Sequence, residues 1–243
     1  MKWWIASLVA LVGIAGLAQE KGGAPLVVTD NFNDGIRNQA MWKCVAYKPT
    51  TKLWETGTRL FFATGNVNPY DSTYATWRMK SSRFLFASDV LETIALINVP
   101  FCSSGDPDAV ARLGLVWADP AETHNNINYA VEMTPLFRYL EISYGGTGGS
   151  GGVQKYTFPV NTGNIYLKIR YSNVAKKVTF FWRRPGETVW NRLPFNINLT
   201  SLWSLPLNTA AVRSDVLAEC SGFWIQPSHN LYIDNFQVVH TIP

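Results

Sequence analysis

Only three histidines and three cysteines occur in this 243-residue chain, and charged residues make up just 16% of it. His124, His229 and His240 stand far apart with no partner at i+2 or i+4, which argues against a transition-metal site built on histidine. Cys44, Cys102 and Cys220 are equally dispersed, so no two have the close spacing of a zinc knuckle. Net charge is small too: +4, with a pI near 8.9, is too mild to imply a nucleic-acid partner. After the first 18 residues no apolar run approaches the roughly 20 residues that a membrane-spanning helix needs. Nor does any stretch repeat its apolar residues at helical spacing for any length.

The one long apolar run comes first. Lys2 supplies a positive charge, Trp3 to Leu17 an apolar core, and Gly16-Leu17-Ala18 the small residues of a cleavage site. Residues 1–18 therefore have the pattern of a secretory signal peptide, 19–25 that of a short linker, and 26–243 form the domain. No cysteine follows the run, which argues against a lipid anchor. The expected address is extracellular or periplasmic, where two of the three cysteines can pair in any of three ways. Asn198-Leu199-Thr200 is an acceptor sequon for a eukaryotic host.

What the chain does have is apolar and aromatic: 47% hydrophobic and 14% Phe, Trp or Tyr, a composition suited to two stacked sheets with a thick core. Asp30-Asn31-Phe32 near the start recurs as Asp234-Asn235-Phe236 near the end, each joined to a β-branched run. Two matching strands that bracket the chain predict a sheet in which first and last strands meet. Between them 74–80, 111–117, 139–144, 165–171 and 177–183 alternate apolar and polar residues. Asp106-Pro107, Asp119-Pro120, the glycine run 145–152, Ser172-Asn173 and Arg184-Pro185-Gly186 punctuate them as turns. The pattern predicts an all-β, antiparallel β-sandwich in a single domain.

Several of these segments resemble the concanavalin A-like lectin/glucanase (laminin G-like) jelly-roll superfamily. They are Asp30 to Gly35 with Trp42, the strand 113–119, the strand 128–131, the hairpin 167–182 with Gly186 and Trp190, and the closing 231–238. The resemblance covers most of the chain beyond residue 25, and implies a role as a glycan-binding domain, a polysaccharide hydrolase or lyase, or an adhesion module. It also implies that Asp234, with Asp30 or carbonyls of 31–35, helps hold a structural calcium ion, whose oxygen chemistry suits carboxylates. Asp234 and Phe236 share strand parity, so a bulge or strand end must release one of them from the common face. An aspartate that merely caps local amides is the competing role.

Retaining glycosidases require two carboxyls about 5 Å apart, which glucanase-like members supply as Glu-x-Asp-x-x-Glu or Glu-x-Asp-x-Glu on one strand. Neither pattern occurs here. Glu132 and Glu141 lie in successive strand segments, where a hairpin would set them together and any other arrangement would leave them as exposed strand carboxylates. The glycine run also matches Gly-x-Ser-x-Gly and Gly-x-Gly-x-x-Gly, but Val153 to Phe158 after it is strand-like, and both chemistries need a helix there. It is expected to be a flexible hairpin loop.

Sugars are bound by flat aromatics flanked by polar groups. The candidates are Trp77 with Arg78, and Trp117 with Asp119, Asn128 and Tyr129, around a loop holding Glu122, His124, Asn125 and Asn126. Trp182, Arg183 and Arg184 with Trp190 form a third group. Core packing competes for each tryptophan, because so aromatic a sandwich must bury most of them. The missing motif favours binding of a polysaccharide or cell-surface glycan over cleavage. A hydrolase or lyase with an unrecognised carboxylate pair is the second reading, and a self-associating envelope or filament subunit the third.

Overall fold

The computed structural model of the chain describes residues 26–36, 38–46, 52–64, 73–79, 84–85, 90–101, 104, 106–120, 125–159, 163–203, 211–223 and 225–241. The leader 1–18, the linker 19–25, Cys102, Glu122 and His124 lie outside them.

Along the chain come β1 (Leu26–Asp30), β2 (Trp42–Ala46), β3 (Lys52–Thr56), β4 (Arg59–Ala63), β5 (Thr73–Met79), β6 (Phe84–Leu85), β7 (Val90–Asn98) and β8 (Val110–Ala118). Then follow β9 (Asn126–Met133), β10 (Arg138–Gly146), β11 (Gly149–Thr157), β12 (Asn164–Ser172), β13 (Lys177–Arg183) and β14 (Asn191–Asn198). A short helix α1 (Leu199–Trp203), β15 (Ala211–Ser221) and β16 (Tyr232–Thr241) complete the order. One sheet runs β14-β13-β12-β7-β16-β4-β3, with β1 also on β16; the second runs β11-β10-β9-β8-β15-β5-β2, with β6 on β15. The chain is an antiparallel two-sheet sandwich.

First and last strands meet as the repeated tripeptide predicts: β1 pairs with β16, and Asp30 stands opposite Phe236. Phe32 and Phe236 are both buried against Trp42, with ring centres 6.3 and 5.0 Å from it. The parity conflict at Asp234 is resolved by a bulge. The register of β16 on β7 shifts between Asp234 and Gln237, and Asn235 takes a φ of 50° to make the shift. Phe236 turns into the core while Asp234 stays half-exposed.

The core fills from alternate positions of both sheets, including Leu91, Ala95, Ile97, Leu167 and Ile169 on one side and Leu113, Leu115, Val131, Leu140 and Val216 on the other. Each such side chain contributes about 1.5–3 kcal/mol by leaving water. One polar chain crosses this layer. Trp117 Nε1 donates to Thr93 Oγ1 at 2.7 Å, and Thr93 and Ser214 share a hydrogen bond of 2.8 Å, so β7 of one sheet is tied to β8 and β15 of the other.

The glycine run is not a loose loop. β10 continues through Gly146 and β11 begins at Gly149, leaving only Thr147 and Gly148 as the turn. The glycines permit close approach: a Cβ on Gly146 would lie 2.1 Å from the Leu202 carbonyl oxygen of α1. Cys44 and Cys220 are not bridged to one another, and Cys220 donates to the Phe223 carbonyl instead. The expected disulfide is thus not formed between these two.

Candidate functional site

Strand parity divides β8, β9, β10 and β15 into a core side and an outer face. Register arranges the outer face in rows. Glu219, Arg112 and Glu132 stand opposite one another in one row; Leu217, Gly114, Ala130, Glu141 and Lys155 form the next; Asp215, Val116, Asn128 and Ser143 form the third. Small Gly114 and Ala130 sit between the other two rows and are buried beneath them.

The first two rows are joined by ion pairs. Arg112 Nη1 meets Glu219 Oε1 at 2.7 Å, Nη2 meets Glu132 Oε2 at 2.6 Å, and Nε meets Glu141 Oε1 at 2.8 Å. Lys155 Nζ closes the other side, 2.5 Å from Glu132 and 3.4 Å from Glu141. The hairpin β9–β10 has brought the two glutamates together beneath the same two cations. Burial, and then the neighbouring Glu132, push Glu141 up to about 7. Burial acts on Glu132 in the same sense, but the contacts with Glu141, Lys155 and Arg112 outweigh it and hold that carboxyl below its ordinary value. The pair titrates as a unit, with the proton resting on Glu141.

This geometry suits a scaffold better than a catalyst. Glu132 is 0% exposed and Arg112 and Lys155 occupy the space above both carboxyls. Glycosidic cleavage needs an acid and a nucleophile or base separated by about 5 Å or more with a sugar between them. A pair bridged by both Arg112 and Lys155 leaves no such gap.

The proton on Glu141 makes stability depend on pH. Glu141 and the likewise buried Glu55, also pushed up to about 7, titrate near 4.3 when unfolded, so the folded chain holds extra protons between those values. That stabilisation is complete below about pH 4.3 and is lost as pH rises through 7, by up to about 3 kcal/mol for each group. Glu132 acts oppositely, losing its contribution only below its own depressed value. Thermal midpoints should therefore fall between about pH 5 and 8, and Glu141→Gln should flatten the slope. A midpoint that rises through this window would contradict the proton on Glu141.

The sequence candidates separate sharply. Trp77, Trp117 and Tyr129 are buried in the core, so none can stack on a ligand; their alternation with polar neighbours turned the aromatic, not the polar, residue inward. Arg78, next to Trp77, reaches the outer face beside Lys43. Asn128 lies there too, half-buried, and donates to Ser143 Oγ at 3.0 Å. Asp119 is almost fully buried and accepts from Asn125 Nδ2 at 3.3 Å. It braces the rim and does not present a free carboxylate. Asn125 is the residue that sequence reasoning undervalued. Its Oδ1 accepts from Thr147 N at 2.8 Å, and Thr147 Oγ1 donates to the Trp203 carbonyl, linking the end of β8 to the β10–β11 turn and α1.

No protein-family model matches the chain, and no curated protein matches its sequence. Solved structures do match its shape. The endo-1,3-beta-glucanase of Streptomyces sioyaensis superposes with a TM-score of 0.60 at 12% identity, over 93% of this chain and 100% of that one. The winged bean acidic lectin, in complex with methyl-alpha-D-galactose, gives 0.55 at 10% identity over 90% and 99%. Lectin II from Ulex europaeus gives 0.52 at 12% identity over 89% and 97%. The chain has the concanavalin A-like lectin/glucanase jelly-roll fold. That fold is shared by lectins and by a glucanase among these structures.

Asp30 and Asp234, the residues expected to hold calcium, each accept local hydrogen bonds, as the capping role would have them. Asp30 Oδ1 accepts from Phe32 N at 2.9 Å and Oδ2 from Trp42 Nε1 at 2.6 Å, while Asp234 Oδ1 accepts from Asn235 N at 2.6 Å. Burial raises Asp234 above its ordinary value. Among the described residues no three His, Cys, Asp or Glu side chains are grouped to hold a metal. Elsewhere Glu55 is a buried carboxyl, pushed up to about 7 by burial and by the neighbouring Asp34.

Proposed function

We propose that the chain is a secreted, non-catalytic glycan-binding module, and that a polysaccharide or cell-surface glycan lies along the outer face of the second sheet. The observation that carries this reading is the cross-strand row Asp215, Val116, Asn128, Ser143, in which Asn128 and Ser143 stay half-buried over covered neighbours. Its polar groups are already oriented: Arg213 Nε holds Asp215 through both carboxylate oxygens at 2.9 Å, and Asn128 is set by Ser143. A face whose donors and acceptors are fixed before binding loses little entropy on meeting hydroxyls. Tyr139, with Lys155 Nζ 5.7 Å from its ring centre, offers an aromatic surface on the same face. Export by the leader 1–18 places the module where such glycans occur.

Affinity electrophoresis through gels containing different polysaccharides tests this. Asn128→Ala and Arg78→Ala should each lower retention about tenfold, the worth of a hydrogen bond to a bound ligand, with little change in melting. Retention unchanged in both variants would remove the face from the account.

A further inference from the structure

Where the free edges of the two sheets approach, a cavity of about 320 Å³ opens between the β10–β11 hairpin, β14 and α1. Its size lies at the low end of small-molecule sites, which span about 300–1,000 Å³, so it suits one ring and not an extended chain. Tyr144 and Phe195 form its aromatic part, with ring centres 5.7 Å apart and planes tilted by 35°. Phe195 is backed by Phe180 at 6.2 Å in a near-stacked arrangement, which fixes the ring from behind.

The remaining lining is uncharged: polar Ser150, Asn196, Asn198 and Ser201, apolar Ile197 and Leu202, and Gly148 and Gly149. Asn198 caps α1, its Oδ1 accepting from Thr200 N at 3.1 Å and Ser201 N at 3.4 Å, which leaves the amide nitrogen as a donor. Asn196 and Ser150 are exposed. The walls are pinned. Gly148 N donates to the Leu202 carbonyl at 3.0 Å, Thr147 is held by Asn125 and by the Trp203 carbonyl, and Gly146 leaves no room for a side chain against α1.

Among the described residues no lysine, arginine, aspartate or glutamate lines the cavity. Phosphates and uronic acids would find no counter-charge there, and a purely apolar ligand would strand the amides and hydroxyls. Aromatic rings beside amides and hydroxyls match the C–H faces and hydroxyls of a sugar. We infer that this cavity binds a single uncharged sugar ring, as a second position separate from the outer face. The inference rests on the carbohydrate reading and adds a neutral-sugar specificity to it.

The test is amide NMR on protein made in a bacterial host, where Asn198 carries no glycan, titrated in turn with D-glucose, D-galactose, D-mannose and D-glucuronate. At least one neutral sugar should shift the backbone amides of Gly148 to Ser150 and the side-chain amides of Asn196 and Asn198 in a saturable way. Asn196→Ala, at an exposed position that leaves the fold intact, should weaken that binding about tenfold. Shifts confined to Asn128 and its neighbours would overturn the cavity and leave the outer face standing. Stronger shifts with glucuronate than with every neutral sugar would overturn the uncharged specificity. No shift with any sugar, together with no retention on any polysaccharide, would overturn both proposals.

Discussion

Replacing Arg112 by methionine should destabilise the chain by about 3–5 kcal/mol, the usual cost of removing one partner from a buried ion pair. Arg112 contacts Glu132, Glu141 and Glu219, and Glu132 has no exposure through which water could replace the guanidinium. Lys155, the other cation, is 42% exposed at the edge of the group, so Lys155→Met should cost much less. The Arg112→Met loss should also shrink as pH falls from about 7 to 5, because the stranded carboxyls then take up protons. Chemical denaturation at several pH values checks both. A loss under 1 kcal/mol at pH 7, unchanged at pH 5, would show that the cluster is no more than a surface ion pair.

Trp117→Ala should cost about 3–5 kcal/mol, as large aromatic truncations in packed cores do. The indole is fully buried between the sheets and donates to Thr93, so the substitution opens a cavity and removes the hydrogen bond that joins β8 to β7. Trp117→Phe should keep most of the packing and lose about 1 kcal/mol from the missing donor. Ligand affinity of the folded Trp117→Phe protein should be unchanged. A drop in affinity without a drop in stability would return Trp117 to the binding surface.

The contrast between these two residues shows what was legible in the sequence. Alternation at 111–117 and 139–144 located the strands, and the repeated Asp-Asn-Phe located the closing pair, because both are properties of a single strand or of chain order. Alternation also assigned Arg112, Glu132 and Glu141 to the face opposite Leu113, Val131 and Leu140. It said nothing of which strands lie side by side. The charge cluster exists only because β15, β8, β9, β10 and β11 are consecutive in the sheet, and Glu219 comes from a strand more than seventy residues beyond Glu141 in the chain. A lone charge set in each of several apolar strands was the available signal. The same limit misdirected the ligand search: the pairing of each tryptophan with a polar neighbour suggested a joint site, whereas the pleat sends neighbours to opposite faces. Glu55 left no such trace, since its burial beside Asp34 depends on how β3 folds over the segment after β1.

The central claim, binding without cleavage, is tested most directly by incubating the purified chain with the polysaccharides that retain it and measuring sugar release over the same period. The account predicts retention of the chain on at least one polysaccharide with no increase in reducing or unsaturated ends above buffer. Release of such ends, abolished by Glu132→Gln or Glu141→Gln in protein that still folds, would contradict it and make the carboxylate pair an active site.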